Sequence, residues 1–354
     1  MREALSEWRP RIDEEIARLL PRTLSAGDVA EQFGSPRFEY DEAALTAALT
    51  EPVWDLLDRG GKRWRPVLFL LAAEGFGGDP ESLLPYAAIP EILHTGTIIV
   101  DDVEDGATLR RGEPAVHRKY GTDVALNAGN ALYFVPLKVL TDDPGGLPAE
   151  TRLRAFDMLT HELNRTHLGQ GTDIRWHNGE RVDMTEAEYL EMCACKTGCL
   201  GRIAARLAAI VTEQDEAAEA HVADYAESLS IAFQIADDVL DVEHTLDGDG
   251  DFGKAFGNDI REGKRTLMVI HAVQAASEPA AARLREILTA DEASDKDVLD
   301  AIDILQATDS VEYARERALE LAADARSHLD AVAMRDEQAD QLAAFTEYVV
   351  EREI

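Results

Sequence analysis

The sequence predicts an all-α fold. Ala/Leu/Glu/Arg-rich stretches of helical period fill most of the 354 residues, strand-like alternation is scarce, and glycine and proline cluster only around 60–61, 77–80, 144–148 and 248–263. None of these breaks is long enough for a disordered linker, and no repeat of fixed period is visible. Residues 1–354 therefore read as a single domain, although the length alone would allow two of about 150 residues each.

The elements follow in order. The acidic, amphipathic start MREALSEWRPRIDEEIARLL belongs to a helical N-terminal extension over 1–50. Asp79-Pro80 can start a helix, with Asp as N-cap and Pro in the first position, running through Leu83 and His94 to about Asp105. A second long helix begins near Pro148 and carries Leu153, Phe156, Leu159, Leu163 and Gln170. A third opens at the capping box Thr185-Glu186-Ala187-Glu188 and reaches past Lys196. A fourth contains Phe233 to Asp241, and the chain from Glu278 onward reads as several acidic, alanine-rich helices.

Charge narrows the function classes. Lys+Arg is 35 against Asp+Glu 69, a formal net charge of −34, and such a surface repels nucleic acid and anionic membranes. Hydrophobic residues make up 45%, enough for a core and too many for an acidic disordered chain. Only seven of the 35 basic residues are lysine, a balance suited to concentrated salt, where screening weakens self-repulsion; a halophilic source is expected. Cys193, Cys195 and Cys199 lie in one short stretch and give no disulfide framework, which fits a reducing cytoplasm. No apolar run approaches the roughly 18 residues of a membrane span.

Several patterns fail on inspection. Gly248 to Gly253 matches the dinucleotide fingerprint but follows a helical segment and places aspartates where a pyrophosphate would sit. Read as a calcium loop from Asp247, the same stretch has Phe252 where glycine is needed. Gly257 to Lys264 is one residue too long for a P-loop, and His161-Glu162 lacks a second histidine at zinc-protease spacing.

Two motifs survive. Asp101-Asp102-Val103-Glu104-Asp105 and Asp237-Asp238-Val239-Leu240-Asp241 share the spacing Asp-Asp-x-x-Asp, each after an apolar helical run. On a helix, positions i and i+4 lie within roughly 40° of each other, so Asp101 stacks with Asp105 and Asp237 with Asp241. Like charges so placed destabilise a bare helix, and the usual reason to keep them is a hard cation with oxygen ligands; magnesium takes one or two carboxylates plus substrate phosphates. Cations cluster near both boxes: Lys62, Arg63 and Arg65 in Gly-Gly-Lys-Arg-Trp-Arg-Pro at 60–66, Arg110-Arg111 after the first box, and Lys254 and Lys264 after the second. In so acidic a chain that concentration reads as a diphosphate clamp.

These residues resemble the trans-isoprenyl diphosphate synthases, the polyprenyl synthetase family that includes farnesyl and geranylgeranyl diphosphate synthases. The matches are Gly-Gly-Lys-Arg-x-Arg-Pro at 60–66, His94, Asp-Asp-x-x-Asp-x4-Arg-Arg-Gly at 101–112, Gly169-Gln170-x-x-Asp173, Lys196-Thr197, Phe233-Gln234-x-x-Asp-Asp-x-x-Asp at 233–241, Gly-Lys at 253–254 and 263–264, and the ending Tyr348 to Arg352. They run in the family's order from about residue 55 to the end.

The resemblance implies the isoprenoid synthase fold, about a dozen helices around a central cavity, in a homodimer. It implies that Asp101, Asp105 and Asp237 ligate three magnesium ions bridging an allylic diphosphate, with Asp102, Asp238 and Asp241 acting through bound waters. Arg110, Lys196, Gln234, Lys254 and Lys264 would hold that diphosphate; Lys62, Arg65, His94 and Arg111 would hold isopentenyl diphosphate. Thr197 and Gln234 would direct oxygen toward the developing cation. The implied reaction is ionisation of the allylic diphosphate, attack by the double bond of isopentenyl diphosphate, and proton loss. Gly96 and Thr97, one turn before the first box, would leave the product tunnel unplugged, so geranylgeranyl diphosphate is the expected main product, with Leu93 as the next floor. Farnesyl or longer products stay open, as do two other classes: a class I terpene cyclase, whose second metal motif is of an Asn/Asp-Ser/Thr-Glu type, and a non-catalytic partner subunit.

Overall fold

Prolines decide where many helices begin. A computed structural model describes residues 2–179, 181–247, 257–290 and 292–350, with the side chains of 244–247 left out. Lys254, the discarded glycine pattern at 248–253 and the final Glu351-Arg352 lie outside the described residues. Along the chain run α1 (Arg2–Leu19), α2 (Ala26–Phe33), α3 (Glu42–Leu45), α4 (Glu51–Asp58), α5 (Trp64–Gly75), α6 (Leu84–Ala87), α7 (Ile89–Glu104), α8 (Val116–Tyr120), α9 (Thr122–Ala131) and α10 (Val135–Asp142). The second half holds α11 (Ala149–His177), α12 (Glu186–Cys193), α13 (Cys199–Val211), α14 (Glu216–Asp247), α15 (Asn258–Arg261), α16 (Leu267–Ala275), α17 (Glu278–Leu288), α18 (Asp295–Ala307), α19 (Ser310–Leu329) and α20 (Asp336–Val350). Among the described residues the only strands are a two-residue antiparallel ribbon, Leu109–Arg110 with Glu113–Pro114, pairing Leu109 with Pro114.

The described residues thus hold more helical segments than the expected dozen, several of them one turn or little more, and one of these, α6, ends before a proline. Asp79-Pro80 forms a turn, with Asp79 accepting from the Glu81 amide at 3.3 Å, and no helix starts there. Pro85 and Pro90 each occupy a first turn, so α6 stops at Ala87 and α7 restarts at Ile89. A proline deeper in a helix would forfeit a hydrogen bond and strike the carbonyl four residues back. The second and third helices begin where the sequence placed them. α11 follows Pro148, and Thr185 caps α12, accepting from the Glu188 amide at 3.2 Å while its own amide donates to Glu188 at 2.8 Å.

α13 runs through the middle of the molecule, nearly every residue buried, packed against α5, α11 and α14. Its contact with α14 depends on Gly201, since a Cβ there would come within 2.2 Å of the Ser230 hydroxyl. A buried ionic cluster ties α11 to α13: the fully buried Glu162 accepts from Arg202 Nε at 3.0 Å and Arg206 Nη1 at 2.7 Å. Leu5, Trp8, Ile12 and Ile16 form a buried stripe of helical period along α1, which seats it against α5 and α6. One hydrophobic cluster includes residues from Leu5 to Val349. No helix among the described residues is long and apolar enough to cross a membrane.

Candidate active site

α7, α11, α14 and the α12–α13 junction enclose a cavity of about 860 Å³. The first aspartate box ends α7, with Asp105 as its C-cap, and the second lies inside α14. Asp101, Asp237 and Asp238 line the cavity, while Asp105 and Asp241 are almost wholly buried.

Local backbone features bring the partners to the first box. Between α12 and α13 the chain makes a π-helical turn over Ala194–Gly198, whose extra residue turns Lys196 and Thr197 into the cavity. This turn lies directly on α11, where a Cβ on Gly169 would come within 2.3 Å of the Lys196 amide nitrogen. Glycine at 169 is therefore required for the close approach. As a result Lys196 Nζ sits 2.6 Å from Asp173 of α11 and 3.0 Å from Asp101 of α7. Gln170 Nε2 donates to both Asp101 and Glu104 at 2.8 Å. Lys264 Nζ lies 3.8 Å from Asp105 and 2.8 Å from Glu262.

These neighbours set the charge states. Burial alone would push the Asp101 carboxyl up, but Lys196, Lys264 and Arg110 outweigh it and hold Asp101 well below the usual carboxylate range. Asp105, buried and facing the Asp101 charge, is pushed up to about 7. Burial likewise raises Asp102 against the pull of Arg110, whose Nε donates to it at 2.7 Å. Among the described residues no three carboxylates, histidines or cysteines are grouped as a metal site, and Gln170 and Lys196 engage Asp101. The donor set still fits a hard dication. Carboxylates of both boxes line the one cavity, and Asp102 Oδ2 and Asp105 Oδ1 are buried without a hydrogen-bond partner.

At the second box a chain of side chains crosses from Thr197 to α12. Thr197 Oγ1 donates to Gln234 Oε1 at 3.2 Å, Gln234 Nε2 donates to Asp238 at 2.8 Å, and Tyr189 Oη donates to the other Asp238 oxygen at 3.1 Å. Gln234 is thereby fixed with both amide atoms assigned.

One end of the cavity is basic. Lys62, Arg65, His94, Arg110 and Arg111 all line it. Arg65 is 4% exposed, stacks over Trp64 at 4.3 Å, and its Nε has no hydrogen-bond partner. Burial pushes its pKa down to about 10. Burial, together with the charges of Arg65 and Arg111, pushes His94 well below its usual value, so its imidazole is neutral at pH 7. Arg111 reaches the Gly60 carbonyl and donates to Leu56 O at 3.2 Å.

The wall between the boxes is apolar toward Thr97, Ile98 and Val100, with Tyr133 and His167 edge-on at 5.6 Å. Here the structure separates two residues the sequence treated alike. Thr97 lines the cavity, whereas Gly96 faces α9, where a Cβ would come within 2.9 Å of Gly129 O and Leu132 Cβ. Gly96 is a packing residue of the α7–α9 crossing and is not part of the cavity wall. Leu93 is fully buried in the core and is not among the lining residues. Sequence reasoning also passed over Tyr133, His167 and Glu262, which carry no spacing signal, and over Arg9 of α1.

An all-helical shell around a cavity with two facing aspartate boxes and a cationic end defines an enzyme that handles a diphosphate. The model of the family described as polyprenyl synthetase matches residues 46–305. The chain is 33% identical over 305 residues to the geranylgeranyl diphosphate synthase of Sulfolobus acidocaldarius, an alignment covering 86% of this chain and 91% of that one. It is 35% identical over 313 residues to the geranylfarnesyl diphosphate synthase of Natronomonas pharaonis, covering 84% and 88%. The solved geranylgeranyl pyrophosphate synthase of Corynebacterium glutamicum, complexed with isoprenyl diphosphate and magnesium, superposes with a TM-score of 0.81 at 27% identity over 99% of both chains. The chain belongs to the polyprenyl synthetase family and is a prenyltransferase with the all-α isoprenoid synthase fold.

Proposed function

We propose that the protein condenses isopentenyl diphosphate with dimethylallyl, geranyl or farnesyl diphosphate, with geranylgeranyl diphosphate as main product. The observation that carries this reading is one cavity lined by carboxylates of both boxes, by the cations Lys62, Arg65, Arg110 and Arg111, and by apolar residues of α7. The allylic diphosphate belongs between the boxes, where Lys196, Lys264, Arg110 and Gln234 can bind it; Lys254 joins them on the family resemblance. Isopentenyl diphosphate belongs at the basic end, on Lys62, Arg65, His94 and Arg111. Asp101, Asp105 and Asp237 would hold magnesium, three ions by resemblance, which would supply positive charge to stabilise the leaving diphosphate.

The side chains then divide the work. Lys196 and Lys264 turn from their carboxylates to the diphosphate oxygens and favour cleavage of the allylic carbon–oxygen bond. The oxygens of Thr197 and Gln234 face the resulting cation and stabilise it. His94, being neutral, donates one hydrogen bond without adding charge. The isopentenyl double bond attacks the allylic carbon, the released diphosphate takes the proton, and the chain is five carbons longer. Holding both substrates in one cavity removes much of the entropic barrier.

Thr97 puts only a small side chain into the cavity, which leaves room for a longer chain, and Tyr133 and His167, edge-on to each other, line the same cavity. The geranylfarnesyl relative favours a second reading, a product one isoprene unit longer. The exposed Leu153, Phe156 and Leu168 on one side of α11, 61%, 38% and 67% exposed, support a homodimer through that helix, to be checked by light scattering. The reading as a whole is tested by incubating the protein with magnesium, labelled isopentenyl diphosphate and each allylic primer, then chromatographing the dephosphorylated products. A ladder ending at geranylgeraniol is expected. Diphosphate release without label incorporation points to a cyclase, and no turnover by folded protein points to a non-catalytic subunit.

A further inference from the structure

The N-terminal helix lies outside the segment matched to the family, yet it reaches the site. Arg9 of α1 lines the cavity, and a Cβ on Gly60 would lie 3.5 Å from its guanidinium. One turn further, Asp13 shares its carboxylate: Oδ2 is 3.7 Å from Arg9 Nε and Oδ1 accepts from Arg63 Nε at 2.7 Å. Arg63 spends its remaining fork on Glu91 at 2.9 Å and the Leu57 carbonyl at 3.2 Å, and is 4% exposed. Each guanidinium nitrogen of Arg63 thus has a protein partner. The glycine turn above it has no room for a side chain, since a Cβ on Gly61 would come within 2.6 Å of Arg63 Nη1 and 3.4 Å of Arg111.

Roles follow from these contacts. Arg63 is a positioning residue that holds the turn carrying Lys62, and Arg9 is different. Its side chain is 49% exposed, its Nη groups point over the turn, and its one carboxylate partner is long. Arg9, Lys62, Arg65 and Arg111 line the same cavity, the buried Arg65 Nε has no hydrogen-bond partner, and the carboxylate of Glu91 lines it beside them, so this group of cations suits an anion. Trp8, Ile12 and Ile16, buried on the adjoining face of α1, fix Arg9 in place.

We propose that α1 completes the isopentenyl-diphosphate end of the site, with Arg9 contacting the diphosphate and the Asp13–Arg63–Glu91 set fixing the glycine turn beneath it. This rests on the reading given under Proposed function. The test compares wild type with Arg9→Gln, Arg9→Lys, Asp13→Asn and, as control, Arg11→Gln, whose side chain pairs with Glu81. KM for isopentenyl diphosphate, KM for the allylic primer, kcat and melting temperature are measured at fixed ionic strength. Arg9→Gln should raise KM for isopentenyl diphosphate about tenfold, leave the primer KM and the melting temperature unchanged, and be partly rescued by lysine. Asp13→Asn should raise the same KM selectively, and Arg11→Gln should match wild type. An unchanged KM in Arg9→Gln, an equal rise for both substrates, or a fall in kcat and melting temperature alone overturns the inference while wild-type elongation stands. Absence of wild-type elongation overturns both readings.

Discussion

Thr97→Phe tests the assignment of the tunnel wall most directly. Thr97 sits four residues before Asp101, about 6 Å along α7, close to the length of one isoprene unit. Its side chain faces the cavity, where its hydroxyl donates to the His94 carbonyl of its own helix at 2.8 Å, so a phenyl group there breaks no hydrogen bond to another element. There it occupies the path of a growing chain. We expect extension of farnesyl diphosphate to fall at least about a hundredfold, or about 2.7 kcal/mol of transition-state stabilisation. Condensation with dimethylallyl diphosphate, whose shorter chain stops above residue 97, should change less than about threefold. Gly96→Ala is the matched control: its methyl meets Gly129 O and Leu132 Cβ at 2.9 Å, so it should cost about 1–3 kcal/mol of stability by overpacking and leave product length alone. Products are resolved by reversed-phase chromatography after dephosphorylation, and stability by thermal melting. A Thr97→Phe enzyme that keeps the wild-type product, or a Gly96→Ala enzyme that shortens it, refutes the assignment.

Three further outcomes follow from the site and its supports. Asp105 is raised by burial and by Asp101, so in the ion-free protein it keeps a proton that the unfolded chain loses near pH 4; stability in chelator should fall between about pH 4 and pH 7, by the order of 2–4 kcal/mol, and Asp105→Asn should flatten that slope in melting curves. Burial would raise Glu162, but Arg202 and Arg206 hold it below its usual value, so its contribution is present above about pH 4.5 and lost on acidification; Glu162→Ala should cost about 3 kcal/mol in urea unfolding without altering product length, and a loss below about 1 kcal/mol counts against the cluster. Gly169→Ala should push the π-helical turn off α11, separate Lys196 from Asp101, and lower kcat by about a hundredfold or more, as measured at saturating substrates.

Much of this protein was legible in its sequence because the informative features are local. Helical content follows from periodicity, the start of α12 from a capping box, and the stacking of Asp101 on Asp105 from the 100° advance per residue. The misread start at Asp79 has the same root: Asp-Pro signals both a helix N-terminus and a turn, and Pro85 and Pro90 downstream settle the matter for the turn.

What the sequence by itself determined is the chemistry available on each helix: two carboxylate pairs, the cations that accompany them, and a fold class. The tertiary structure alone decided which of those groups meet. Gly96 and Thr97 are neighbours in the chain, yet the rotation of α7 against α9 sends one into a helix crossing and the other into the cavity. Lys196 reaches Asp101, 95 positions away, because a π-helical turn re-aims it and Gly169 lets two backbones touch. Arg9 joins the basic end through the seating of α1 on a buried stripe. Covalent geometry fixes angles within a helix, whereas distances between helices are set by side-chain packing from segments far apart in the chain, which spacing in one sequence does not encode.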